Sequence, residues 1–129
     1  MESKFITELD LRDIDDRTSK LLFNLKYQSF ILNDIIIVPK GFITDKASVP
    51  RIPIIYFFFG DRAHREAVIH DYLYQSHITT KKIADKIFLE AMKVRKKNFF
   101  IRWCMYLGVV IGGKKAYETG PDRLIISQK

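Results

Sequence analysis

A change of hydrophobic period near residue 61 constrains this chain more than any single motif. Before it, "KFITELDLRDI" alternates apolar and polar residues, "DDRTSK" carries turn chemistry, and "LLFNLKYQSF" resumes the alternation. That is the pattern of hairpins with one face on a core. "NDIIIVPKGFIT" follows as a continuous apolar run closed by Pro39 and Gly41. Pro39 suits the first central position of a turn, so the chain is expected to reverse at "VPKG" and emerge as a short strand, Phe42 to Thr44. Past residue 61 the spacing becomes helical. Asp61 is the expected N-cap of a helix from Arg62 to about Gln75, and Thr79 or Thr80 that of a second from about Lys81 to Lys97. Asn98 opens a third, to about Glu118, stopped by Gly120 and Pro121, with "DRLIIS" as a last strand. Strands followed by helices predict an α+β fold: an N-terminal antiparallel β meander or hairpins, then about three helices packed on one face.

At 129 residues and 47% hydrophobic, the chain can bury a core of its own. It shows no internal repeat and no linker, so residues 1–129 are read as a single domain. Between the two halves lies "DKASVPRIPIIYFFFGD", where Pro50 and Pro53 forbid a regular helix. Its apolar stretch is expected to lie across the core or cover an exposed edge.

Several function classes are narrowed by composition. The single cysteine, Cys104, permits neither an intrachain disulfide nor a cysteine zinc cluster, which fits a reducing cytoplasm. The acidic, alternating N-terminus does not read as an export signal. "NFFIRWCMYLGVVIGG" is interrupted by Arg102 and is shorter than the ~20 apolar residues of a spanning helix, so it reads as a buried or interfacial helix and no membrane span is expected. A net charge of +7 invites a nucleic-acid reading. The excess lies in "KVRKK" and in Lys114, Lys115 and Lys129, without the interleaved aromatics of a stacking platform. A solvated helix end explains the run, and only non-specific nucleic-acid binding would follow from it.

The residues that could carry chemistry lie in two blocks. On the first helix, His70 shares a stripe with Ala63, Ala67, Leu73 and Tyr74, so its imidazole should be buried, with Asp71 beside it. Buried polar groups need partners. The preceding loop, "TDKASVPR", offers Thr44, Asp45, Ser48 and Arg51. In one reading Asp45 accepts from His70, or Arg51 pairs with Asp71, and the loop is locked to the helix. In another, His70 is a general base with its tautomer set by an Asp, and Ser48 is the nucleophile. In a third, His70, Asp71 and Asp45 hold a divalent metal with Asp85 as a fourth donor. Asp85 borders the apolar set of the second helix and is expected to meet water or a surface partner; Glu90 with Lys82, Lys86 and Lys93 reads as a solvated face. The chain holds no HExxH, no GxSxG and no phosphate-cradling glycine loop.

Taken together, "VPKGFITDKASVPR", "AVIHDYLY", "ADKIFLEAM" and "MYLGVVIGGKKAY" resemble the family of small phage and prophage proteins known as domain of unknown function 1353, over residues 35–118. The matching positions are Gly41, Phe42, Asp45, Ser48, Pro50, Arg51, His70, Asp71, Tyr74 and Asp85. The resemblance implies a bacteriophage or prophage gene product and carries no assigned activity. Its polar members are those already paired on physical grounds, which puts a functional cluster ahead of a purely structural lock. The expectation is therefore a phage-encoded protein of the host cytoplasm, or associated with the virion, with a hydrolase-type site. His70, Asp45, Ser48 and Asp71 are its candidate catalytic residues, and Arg51 and Tyr74 its candidate substrate-binding residues. The alternative is a non-enzymatic virion or assembly component, or a factor that binds a host target, docking through "IIYFFFG" or "FFIRWCMYLGVVIGG".

Overall fold

The computed structural model describes residues 2–14, 18–45, 65–96 and 98–127. Among these residues six strands come first: β1 (Lys4–Phe5), β2 (Leu11–Asp13), β3 (Thr18–Leu21), β4 (Leu25–Ser29), β5 (Asp34–Val38) and β6 (Ile43–Asp45). Helices follow: α1 (Arg65–Ser76), α2 (Lys81–Val94), α3 (Phe99–Gly112), α4 (Lys114–Glu118) and the single turn α5 (Gly120–Arg123). The fold is α+β, as the switch in period requires.

Among the described residues the strands form two three-stranded antiparallel sheets, ordered β1-β4-β5 and β2-β3-β6. The alternation works as read: Leu25, Tyr27 and Ser29 of β4 are buried while Lys26 and Gln28 lie half-exposed. The turn after β5 differs by one residue from the expectation. Phe42 N–H donates to the Pro39 carbonyl at 3.1 Å, so the turn runs from Pro39 to Phe42 and Gly41, at φ 91°, takes the third position. Only that placement gives the glycine the positive φ that a type II turn demands. The turn also carries the chain out of the first sheet and into the second, where β6 pairs with β3 from Thr18↔Asp45 to Lys20↔Ile43. The segment expected as a last strand supplies one bridge, Phe42↔Ile126, and Ser127 N–H donates to the Gly41 carbonyl at 2.7 Å.

Helix starts follow the caps. Thr80 Oγ1 accepts from Ile83 N–H at 3.3 Å at the head of α2, and Asn98 Oδ1 accepts from Phe100 N–H at 2.8 Å at the head of α3. Helix ends are shorter than periodicity suggested. α2 stops at Val94 because Lys96 turns to φ 59°, and the expected single helix from Asn98 to Glu118 breaks at Gly113 into α3 and α4. Asp61, the helix start expected at Arg62 and most of "DKASVPRIPIIYFFFGD" lie outside the described residues.

Leu25, Tyr27, Ile36 and Val38 of the first sheet pack with Val68, Ile69 and Leu73 of α1 and Ala84 and Ile87 of α2. A second apolar cluster joins Phe88 and Met92 of α2 to Met105 and Val109 of α3. The solvated role expected for Glu90 is corrected here. Its carboxylate accepts from Tyr27 OH at 2.7 Å, Ser29 Oγ at 2.9 Å and Ile31 N–H at 2.9 Å, clamping α2 to the end of β4.

Candidate acid–base site

Two pairs of residues, each one helical turn apart, face one another across a short helix hairpin. His70 and Tyr74 lie on α1, Lys81 and Asp85 on α2, and the connection between Ser76 and Lys81 turns sharply at His77, φ 55°. Asp85 is where they meet. His70 Nε2 lies 2.9 Å from Asp85 Oδ1, and Tyr74 OH donates to the same oxygen at 2.6 Å. Lys81 Nζ donates to Asp85 Oδ2 at 2.7 Å and to the Val109 and Val110 carbonyls, in the last turn of α3, at 2.9 and 3.2 Å. Three helices are thereby joined at one carboxylate. The His70 ring also packs between Tyr74 and Phe88, at centroid distances of 4.1 and 4.6 Å.

His70 is 3% exposed and Asp85 2%. Asp85 was expected to meet water or a surface partner; it is buried instead, and burial of its carboxylate is tolerated because three donors converge on it. Burial works to raise the Asp85 pKa, but the hydrogen bonds from His70, Lys81 and Tyr74 outweigh it, and the carboxyl is held below its ordinary value. Tyr74 moves the other way: burial first, then its hydrogen bond to Asp85, pushes its phenol well above the ordinary range and keeps it a proton donor. An ionised Asp85 can only accept, so the proton on His70 must sit on Nε2. In the neutral imidazole the lone pair then lies on Nδ1.

Asp71 belongs to a different cluster. Thr44 Oγ1 donates to its Oδ2 at 2.8 Å, Gln75 Nε2 donates to its Oδ1 at 3.0 Å, and Arg123 Nη1 lies 3.9 Å away. It ties α1 to β6 and α5, while its neighbour in sequence faces α2. Asp45 ends β6, its backbone paired with Thr18, and its side chain lies outside the described residues, as do Ser48 and Arg51. Among the described residues no three His, Cys, Asp or Glu side chains converge as metal ligands. His70 and Asp85 supply two donors, and both Asp85 oxygens already accept hydrogen bonds.

Lys81 was missed by the sequence reading, although the Lys81–Asp85 spacing of four residues was there to be seen beside that of His70 and Tyr74. No curated protein and no solved structure matches the chain. A family model matches residues 19–109, from β3 through most of α3, and so takes in His70, Asp71, Tyr74, Lys81 and Asp85. With most of its length inside that match, the chain belongs to the family described as Protein of unknown function (DUF1353).

Proposed function

We propose that this is a phage- or prophage-encoded protein, acting in the host cytoplasm, whose His70–Asp85 pair is an acid–base site of hydrolytic type. The observation that carries the reading is the 2.9 Å contact between two side chains almost wholly removed from water. Burying an ionisable pair is a poor way to gain stability compared with apolar packing, and such pairs concentrate where chemistry needs them. In this reading Asp85 fixes the His70 tautomer and Nδ1 takes a proton from the Ser48 hydroxyl or from water. Asp85 thus fills the orienting role first sought in Asp45 and Asp71, and Arg51 receives an anionic group of the substrate. Tyr74 and Lys81 keep the Asp85 carboxylate ionised. A divalent metal shared by His70, Asp71, Asp45 and Asp85 is less well supported, because Asp71 faces Thr44 and Gln75 and Asp85 is occupied by three donors. The phage origin rests on the motif blocks alone.

Turnover of p-nitrophenyl butyrate and of bis(p-nitrophenyl) phosphate tests the reading. His70→Ala should lose about a hundredfold or more in rate, the usual contribution of a general base, and regain part of it with added imidazole. Unchanged turnover in a folded His70→Ala protein, or no turnover of either ester by the wild type, contradicts it.

A second reading, a non-enzymatic assembly or target-binding factor, is favoured by β5, which among the described residues lies at the edge of its sheet and turns Ile35 and Ile37 outward. It calls for a defined phage or host protein bound through that edge and released by Ile37→Asp.

A further inference from the structure

α3 has an inverted surface. At about 100° per residue, Phe99, Phe100, Trp103, Leu107, Val110 and Ile111 fall within an arc of about 140°, with Cys104 at its margin. None of these residues is charged. The opposite side already packs on α2, where Met105 and Val109 meet Phe88 and Met92. An ordinary surface helix turns polar residues to water on the side away from its core, yet here Phe99 is 66% exposed and Ile111 80%.

The ends of the helix carry a second observation. Lys96 is exposed just before it, beside Arg95, which lies 3.4 Å from the buried Glu66 carboxylate, and Lys114 and Lys115 are exposed just after. The helix itself contains no acid. Its one charged residue, Arg102, lies off the arc with its guanidinium over the Phe99 ring at 5.4 Å. Glu118 approaches Lys114 only at 3.9 Å, with both side chains largely in water, so that pair neutralises little. An apolar arc rich in aromatics and bounded by cations at both ends has the composition of a helix that lies in a membrane interface. At 14 residues the helix is about 21 Å long, too short to cross a bilayer.

We propose that α3 seats the protein on an anionic lipid surface, with the apolar arc at the acyl boundary and the flanking basic residues among the headgroups. A second copy of the chain is the poorer occupant. Whether two copies paired parallel or antiparallel along this arc, each cationic end would face another cationic end, and the net charge of +7 opposes their approach further.

Flotation of the full-length protein with phosphatidylcholine vesicles, with and without phosphatidylglycerol, tests the proposal. Trp103 is the only tryptophan and sits in the arc, so its emission reports insertion directly. The protein is expected to float with the anionic vesicles, with a blue-shifted Trp103 spectrum, and to be released by salt. Leu107→Asp and Ile111→Asp change exposed positions, so they should leave the melting temperature unaltered while weakening binding by about tenfold or more. Three results overturn the proposal: no flotation with either vesicle, equal flotation with neutral vesicles, or a dimer in light scattering that Ile111→Asp dissolves.

Discussion

Asp85→Ala is expected to remove about 3–5 kcal/mol of folding stability at neutral pH, the range found when one member of a buried ion pair is deleted. The size follows from what the substitution strands. His70 Nε2 and Tyr74 OH both point at Asp85 Oδ1 from inside the molecule, and Lys81 reaches Oδ2 while holding the last turn of α3. Alanine leaves these donors facing a void, each with its own desolvation cost, and unties α3 from α2. Chemical denaturation followed by circular dichroism measures the loss. A change below about 1 kcal/mol, as for an ordinary surface position, would mean that the three contacts carry no net energy.

The pH dependence of Asp85→Asn separates charge from shape. The folded-state pKa of Asp85 is depressed, so its ionised form contributes stability that is complete above the ordinary aspartate value of 3.8 and is lost as pH falls through the lower folded value. Asparagine cannot titrate. The stability gap between wild type and Asp85→Asn should therefore narrow as pH falls below 3.8. A gap that widens below pH 3.8 would contradict an ionised, hydrogen-bonded Asp85.

Gly120→Ala is the second large effect, at about 3 kcal/mol. A Cβ at Gly120 would overlap the Tyr74 carbonyl oxygen and press on the Gln75 Cα. These are backbone atoms of α1, which cannot rotate away as a side-chain tip would. Relief requires α5 to lift from α1. That movement would draw Arg123 from the Ala116 carbonyl, which it holds at 2.8 Å, and from Asp71. Gly112→Ala is the matched control, because nothing lies within 4 Å of a Cβ there, and it should leave stability unchanged or slightly raised. Equal stability of Gly120→Ala and Gly112→Ala would show that α5 is not packed as described.

The pattern of residues reveals burial better than it reveals partners. The alternation in "LLFNLKYQSF" marks Leu25 and Tyr27 as core, and the stripe through Ala67 and Tyr74 marks His70 as buried, because both depend only on neighbours in sequence. Thr80 and Asn98 advertise their helix starts for the same reason. Alternation says nothing about which strand lies beside which, so the division of the strands into two sheets stayed hidden. The two carboxylates of α2 were misread on similar grounds. A carboxylate at the border of an apolar stripe counts as solvent-facing when only transfer cost is weighed, whereas Glu90 finds Tyr27, 63 residues away, and Asp85 finds His70 across a helix hairpin. Lys81 escaped notice because a cation placed four residues before an acid is the weaker order in an isolated helix. Here its importance comes from the carbonyls of α3, which no local pattern announces.

Asp85 sets the tautomer of His70, and the nitrogen-15 correlation spectrum of the His70 ring reads that tautomer. Recorded at the alkaline end of the imidazole titration, it should show Nε2 protonated and Nδ1 bare, the form that can accept a proton from a nucleophile. A protonated Nδ1, or a rapidly exchanging mixture of the two forms, would contradict the account.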